Sequence, residues 1–319
     1  MSRRTVIILV VVILVIVVPA LIATVVGLAM LIRRDTSLPF AGDEIAMIRV
    51  EGIITSGRGS SGMFGGGTAG AERIVGVLEE FRNDRSVKAA VIRINSPGGS
   101  PAGSQEIYRE IMRVRRAGKK ITVSMGDVGA SGAYYIASAA DRIFANPATV
   151  TGSIGVIMET SDIHELLSRV GVDLGTIKSG KYKDIGSYSR PMTPDERRIL
   201  QRLSDDIYDQ FVTDVSVGRK MPKEDILKLA DGRVFTGRQA LQLKLVDRIG
   251  SLEDAMRAAA DDAGITGDFR VTEYERERGL FEVLFGPSET SASSLFQRGG
   301  ALTELAERLL RAGPVVEAR

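Results

Sequence analysis

The 319-residue sequence predicts an α/β domain with a mainly parallel sheet and a mostly helical C-terminal half, preceded by one transmembrane helix. Three observations predict it. Thr5 to Ile32 carries no charge and is dominated by Val, Ile, Leu and Ala. Between Ile45 and Ile157, short apolar runs alternate with segments whose apolar residues recur every three or four positions, the pattern of βαβ units. From Thr193 onward, helical spacing dominates.

The first run is about 28 residues long and would span about 42 Å as a helix, against a hydrocarbon core of roughly 30 Å. The apolar part of a cleaved signal peptide is usually only ~7–15 residues, so the run reads as an uncleaved anchor. Arg3 and Arg4 on one flank match Arg33 and Arg34 on the other, and charge alone does not choose an orientation. The expected division is an anchor over 1–34, a catalytic-sized domain over 35–278 and a flexible tail over 279–319.

Within the domain, Ile45 to Val50 reads as a first strand and the Gly- and Ser-rich stretch from Thr55 to Gly70 as a surface loop. Ile74, Val77, Leu78 and Phe81 mark a helix. Ala89 to Ile94 is a buried strand, ended by Ser96-Pro97-Gly98-Gly99. Ile107, Ile111 and Val114 give the next helix and Ile121 to Met125 the next strand. Ser131 to Ala140 is helix-like, and Ile143 to Ala145 and Ile154 to Ile157 read as short strands. Thr193-Pro194-Asp195-Glu196 is a helix start with a capping box. Ile199, Leu200, Leu203, Ile207, Phe211 and Val215 then form one apolar stripe. Helices near 223–230, 236–243 and 252–263 complete the domain.

Composition narrows the chemistry. Lys plus Arg (42) nearly balances Asp plus Glu (40), which gives no field for nucleic acid. With no cysteine and a single histidine, His164, thiol nucleophiles, disulfides and multi-histidine metal sites are excluded. No metal or cofactor is expected.

Four segments carry functional signals. In Gly129-Ala130-Ser131-Gly132-Ala133, a serine stands among small residues at a helix start, where open amides can meet a developing oxyanion; the plain alternative is an N-cap serine. Ser96-Pro97-Gly98-Gly99 lies at the C-terminal end of a strand, where open α/β sheets bind ligands, or is an ordinary turn. Thr151-Gly152-Ser153 offers a second serine, for positioning or for a turn. Lys178-Ser179-Gly180-Lys181-Tyr182-Lys183-Asp184 supplies three lysines, either a solvated loop or the source of a base. A lysine base must be neutral, which desolvation favours and an adjacent carboxylate opposes; if the run is extended, Asp184 points away from Lys183.

Taken together, Ile94-Asn95-Ser96-Pro97-Gly98-Gly99, Ala130-Ser131-Gly132-Ala133-Tyr134-Tyr135, residues Asn146 to Val156 and Ser179-Gly180-Lys181-Tyr182-Lys183-Asp184 resemble the signal peptide peptidase A family in its short, unduplicated form. The resemblance covers roughly Ile45 to Ala260. It implies a ClpP/crotonase-like fold and a Ser–Lys dyad, with Ser131 as nucleophile and Lys183 as general base. It further implies that Ser153 orients the lysine and that the amides of Gly98 and Gly132 form the oxyanion hole. The implied setting is the cell membrane, with a single-pass anchor in the bilayer, an extracytoplasmic catalytic domain, a homo-oligomeric ring, and cleaved signal peptides and other apolar peptides as substrates. Where the common motif has two glycines after the serine, this chain has Gly132-Ala133, and the extra methyl is expected to narrow the pocket.

Two rival readings remain. One is a triad built on His164, in Ser161-Asp162-Ile163-His164-Glu165. The other is a catalytically silent membrane scaffold on the same fold, because fold alone does not establish function.

Overall fold

The structure, a computed structural model, describes residues 44–60 and 67–274. The expected anchor at 1–34 and tail at 279–319 lie outside these residues. No described helix is long and apolar enough to cross a membrane.

The sheet forms as the alternation predicts. Strand β1 (Glu44–Glu51) pairs in parallel with β4 (Ala89–Ser96), which pairs in parallel with β5 (Lys120–Ala130). Their near-continuous apolar runs fit a sheet covered on both faces. On one face lie α1 (Ala71–Asn83), which buries Ile74, Val77, Leu78 and Phe81 at the predicted spacing, and α2 (Pro101–Arg116), which buries Ile107, Ile111 and Val114. The Ser100 hydroxyl caps α2 by accepting from the Gly103 amide, Pro101 fits its first turn, and Arg113, Arg115 and Arg116 suit the negative end of its dipole. The other face is covered by α8 (Leu252–Asp262), whose Ala255, Ala258 and Ala259 pack in a second core with Ile45, Met47, Val91 and Phe144. The alanines allow a close approach of helix to sheet.

Several elements depart from the sequence expectation. The stretch expected as a loop from Thr55 contains β3 (Thr68–Gly70), which pairs in parallel with β2 (Ile53–Thr55). Residues 61–66, with the centre of the glycine run, lie outside the described residues. Strand β5 runs on past Met125 to Ala130. It does so because it serves two partners. Thr122 to Ser124 pair with β6 (Arg142–Ala145), and Val128 to Ala130 pair with β7 (Val150–Gly152). A register shift between Ile94 and Ser96 lets β5 bend, and the Asn95 side chain fills the break by accepting from the Val128 amide at 3.1 Å. No strand forms over 154–157. Ser153, at φ 50°, turns the chain out of the sheet, and Ile157 is left 85% exposed. Instead β7 pairs antiparallel with β8 (Val234–Thr236), a strand the helical reading of that region missed. Strands β9 (Arg248–Ile249) and β10 (Arg270–Glu273) close the two sheet edges in parallel.

The helical C-terminal half begins with α5 (Pro194–Arg219), after a short α4 (His164–Arg169). The predicted capping box is present, with the Thr193 hydroxyl and the Glu196 side chain each bonded to the other's backbone amide. The apolar stripe is buried only at its C-terminal end, through Phe211, Val212 and Val215, whereas Leu203 stands 48% exposed. Helices α6 (Lys223–Leu227) and α7 (Gly237–Gln242) follow, near their expected positions.

The buried end of α5 packs on α3 (Gly132–Ser138), the helix that begins at Ser131. Gly218 makes this approach possible, since a methyl there would lie 2.2 Å from the Ser138 carbonyl oxygen. Gly218→Ala is therefore expected to cost about 1–3 kcal/mol by overpacking, read as a lowered thermal midpoint. A fully stable variant would show that the two helices can part without loss.

Candidate active site

The C-terminal ends of three neighbouring parallel strands meet in one place. Beta4 ends at Ser96, β5 at Ala130 and β7 at Gly152, with Ser96 in register with Gly129 and Ala130 in register with Gly152. Ser131 and Ser153 follow directly on their strand ends and Gly98 comes two residues after Ser96, so the sheet itself brings three of the predicted site residues together. Buried threonines fix the β5–β7 pairing. Thr149 donates its hydroxyl to the Gly126 carbonyl and Thr151 to the Gly129 carbonyl, each at 2.7 Å.

Ser131 turns the chain from strand to helix within one residue. Its backbone sits at φ 55°, ψ −125°, a region that costs a side-chain-bearing residue about 1–3 kcal/mol. The turn is held by its amide, which donates to the Gly152 carbonyl at 2.8 Å, and by its carbonyl, which accepts from the Tyr135 amide at 2.9 Å. A plain N-cap serine would accept from the helix amides, and Ser131 makes no such bond. Its side chain is half-buried at the mouth of the strand ends. Gly132 opens α3, and its amide has no acceptor within the helix.

Close packing requires glycine on both sides of the serine. Gly98 has φ +99°, and a methyl there would lie 2.9 Å from the Ser131 Cβ and 2.7 Å from the Gly132 nitrogen. A methyl on Gly132 would meet the Ser104 Oγ at 2.4 Å. The Gly98–Gly99 peptide is held from outside by β2. The Ile54 amide donates to the Gly98 carbonyl at 2.9 Å, and the Ser100 amide donates to the Ile54 carbonyl at 2.8 Å. The Gly98 amide itself donates to the buried Ser96 hydroxyl at 3.1 Å. Ser96 and Ser104 are both fully buried; Ser96 stood in its motif without a role, and Ser104 was missed because a serine in a helix carries no local signal of its partner. The Ala133 methyl is a correction to the sequence reading. It is wholly buried in the main core and cannot narrow the pocket.

Ser153 also has positive φ, and its amide donates to the Arg233 carbonyl at 2.8 Å. Lys183 is not brought into hydrogen-bond contact with either serine. It lies exposed in a chain of turns over 181–186, so the run is not extended, and its amine makes no hydrogen bond among the described residues. Asp184 next to it is engaged elsewhere, by Lys178 at 2.5 Å and by Arg190 at 2.8 Å. The Arg190 hydrogen bond holds the Asp184 carboxyl well below the usual range, and likewise holds Glu196 down to about 2. His164 faces Asp162, its Nδ1 lying 2.8 Å from Oδ1, at the start of the short α4 and with no serine partner. The triad reading therefore has no geometry behind it. Among the described residues, no cluster of His, Asp or Glu could hold a metal ion.

Residues 113–266 match Peptidase family S49. A Synechocystis protein that carries a protease name is 43% identical over 70% of this chain and 76% of its own. The chain belongs to peptidase family S49. The matched S49 region runs from α2 to the residues after α8 and so contains Ser131, Ser153 and Lys183. An Enterococcus faecium protein that carries the name signal peptide peptidase SppA is 35% identical over 73% of this chain and 67% of its own. The chloroplastic serine protease SPPA of Arabidopsis thaliana is 35% identical over 74% of this chain but 35% of its own length. The resemblance read from the four motifs to the signal peptide peptidase A family is thus correct, and the S49 chain is a peptidase.

The packing around the serine generates one expectation for this S49 site. Gly98→Ala should lower kcat by about a hundredfold or more, because the methyl must displace either Ser131 or the Gly132 amide. Steady-state kinetics beside a thermal melt would check it. Near-normal turnover in a folded variant would mean that the Gly98 backbone does not border the reacting atoms.

Proposed function

We propose that this S49 chain is a serine endopeptidase that cuts apolar peptides, released signal peptides among them, through an acyl-enzyme on Ser131. The observation that carries this reading is the backbone of Ser131. A non-glycine residue held at φ 55° on a strand-to-helix turn, with its side chain outside the core, is the arrangement that exposes a nucleophile at the top of a sheet. A catalytically silent scaffold would have no use for that strain.

In the proposed reaction the Ser131 Oγ attacks the substrate carbonyl and its proton passes to the Lys183 amine. The Gly132 amide donates to the resulting oxyanion. Gly98 was expected to supply the second donor, but its amide is engaged by Ser96. All peptide bonds among the described residues are trans, so the Gly99 N–H points opposite to the Gly98 carbonyl that Ile54 holds. That direction is away from β2, and the Gly99 nitrogen lies close to Gly132, where an added methyl would be 3.3 Å from it. Gly99 is therefore the better second donor, with Gly98 as the close-packed residue that lets it approach. Collapse of the oxyanion expels the amine, which takes the proton from Lys183. Water then releases the acyl group by the same path in reverse. Ser153, one strand along, orients the lysine.

A lysine base needs desolvation, and the single chain leaves Lys183 exposed. Large apolar residues crowd the same segment from Ile157 to Tyr188, and Ile157, Leu166, Val170 and Ile177 among them are also exposed. This is an unusual density on a soluble face. Burial of that segment against further copies of the chain in a homo-oligomeric ring would cover the Lys183 loop and exclude water from the dyad. The membrane anchor at Thr5–Ile32 and the extracytoplasmic position of the domain belong to the same proposal.

Labelling with a fluorophosphonate, followed by peptide mapping, tests the nucleophile. Modification of Ser131 is expected, and modification of Ser153 instead, or of no serine, would overturn the reading. Ser131→Ala should abolish turnover with little change in stability. Lys183→Arg should be nearly as damaging as Lys183→Ala, because arginine stays charged, while Lys181→Ala should be mild.

A further inference from the structure

Away from the strand ends, a dense charged cluster joins the Lys183 loop to α5. Arg190 stands between two carboxylates. Its Nε donates to Asp184 Oδ2 at 2.8 Å, its Nη1 to Glu196 Oε2 at 2.9 Å and its Nη2 to Glu196 Oε1 at 2.5 Å. Its Nη2 also reaches the Asp184 backbone carbonyl at 3.3 Å. Lys178 grips the other Asp184 oxygen at 2.5 Å. Glu196 is only 3% exposed. An exposed ion pair contributes little, but a forked arginine on a buried carboxylate fixes direction as well as distance.

The helix cap does not need this arginine. Alpha7 and α8 begin with the same device, Thr236 with Gln239 and Ser251 with Asp254, and each is complete without a bridging arginine. The capping box of Thr193 and Glu196 is likewise complete in itself. What Arg190 adds is the link from Glu196 to Asp184, the residue after Lys183. At its other end α5 holds the nucleophile's helix. The Phe211 ring stacks on Tyr135 at 4.5 Å, and the Tyr135 hydroxyl donates to Asp214. One helix thus carries contacts to both halves of the proposed dyad.

We propose that Arg190 is a positioning residue for the lysine base, clamping the 178–190 turns to α5 so that the loop is held in the form that assembly would close over Ser131. This rests on the reading of Lys183 as the base. Arg190 touches neither substrate nor nucleophile and acts only through Asp184 and Glu196. A purely structural arginine would affect stability and leave the chemical step alone.

The test uses the full chain in detergent, a fluorogenic apolar peptide and the fluorophosphonate labelling rate of Ser131. Asp184→Asn is the decisive variant, since it removes the carboxylate charge that ties Arg190 and Lys178 to the loop and leaves the Glu196 cap intact. It should lower kcat about tenfold or more with KM within about twofold, and slow labelling in parallel. Arg190→Gln should do the same, and Arg190→Lys should recover only part, because a point charge cannot span both carboxylates. The pair Arg190→Gln with Asp184→Asn should be little worse than either alone. Arg198→Ala, on the exposed face of α5, should leave kcat unchanged. An unaltered kcat in Asp184→Asn, or full recovery in Arg190→Lys, overturns the clamp. The two readings fail separately. An active Lys183→Ala removes the base assignment whatever Arg190 does, whereas an inactive Lys183→Ala beside a fully active Asp184→Asn removes only the clamp. Should Arg190→Gln fail to fold, Asp184→Asn and Arg190→Lys still decide.

Discussion

The parallel pairing of the last three residues of β5 with β7 is the constraint on which the site depends. It sets Ala130 opposite Gly152 and lets the Ser131 amide close on the Gly152 carbonyl. Adjacent strands lie about 4.8 Å apart, so the next residue of each, Ser131 and Ser153, emerge side by side. Both leave their strands at positive φ. The hydrogen bonds of the ladder and the two buried threonines offset the strain that these turns store. Without β7 on its flank, β5 would end in unpaired backbone groups, which are costly when buried.

A second constraint acts across the site. The glycine turn after β4 is stitched to β2 by two backbone bonds and to Ser96 by a third, which orients its peptides before any substrate arrives. Preorganised amides of this kind stabilise charge without having to reorganise during reaction. The contrast with the Lys183 loop is physical. The serine side is built on a sheet with both faces covered, whereas the lysine side hangs from ion pairs and carries exposed apolar residues. On the reading we propose, a rigid nucleophile and a base completed by later contacts would confine peptidase activity to the assembled state, and so limit damage to neighbouring proteins.

How much was legible in the sequence differs from element to element. Alpha1, α2, β1 and β4 follow from apolar spacing, and the start of α5 from Thr193-Pro194-Asp195-Glu196, because each signal lies within a few residues of its consequence. Ser131, Gly132, Gly98 and Ser153 were identified by motif, and the sheet brings their backbones together. The strand expected at 154–157 failed because one residue, Ser153, leaves the β region, and apolar content cannot report that. The stripe on α5 is visible in the sequence as one apolar face, but periodicity says which residues share a face and not what lies against it.

By itself, then, the sequence determined the alternating layers, the helix caps, the exclusion of thiol and multi-histidine chemistry, and the small residues that crowd Ser131. These rest on side-chain properties and local backbone preference. Only the tertiary structure decided that β5 divides between β6 and β7, that β8 returns antiparallel, that Ser96 takes the Gly98 amide, and that Arg190 bridges Asp184 to Glu196. Backbone amides and carbonyls are common to nearly every residue, and the partner each finds can be near or far along the chain. Which pairs form is settled by how the layers pack, and that information is spread over the whole sequence.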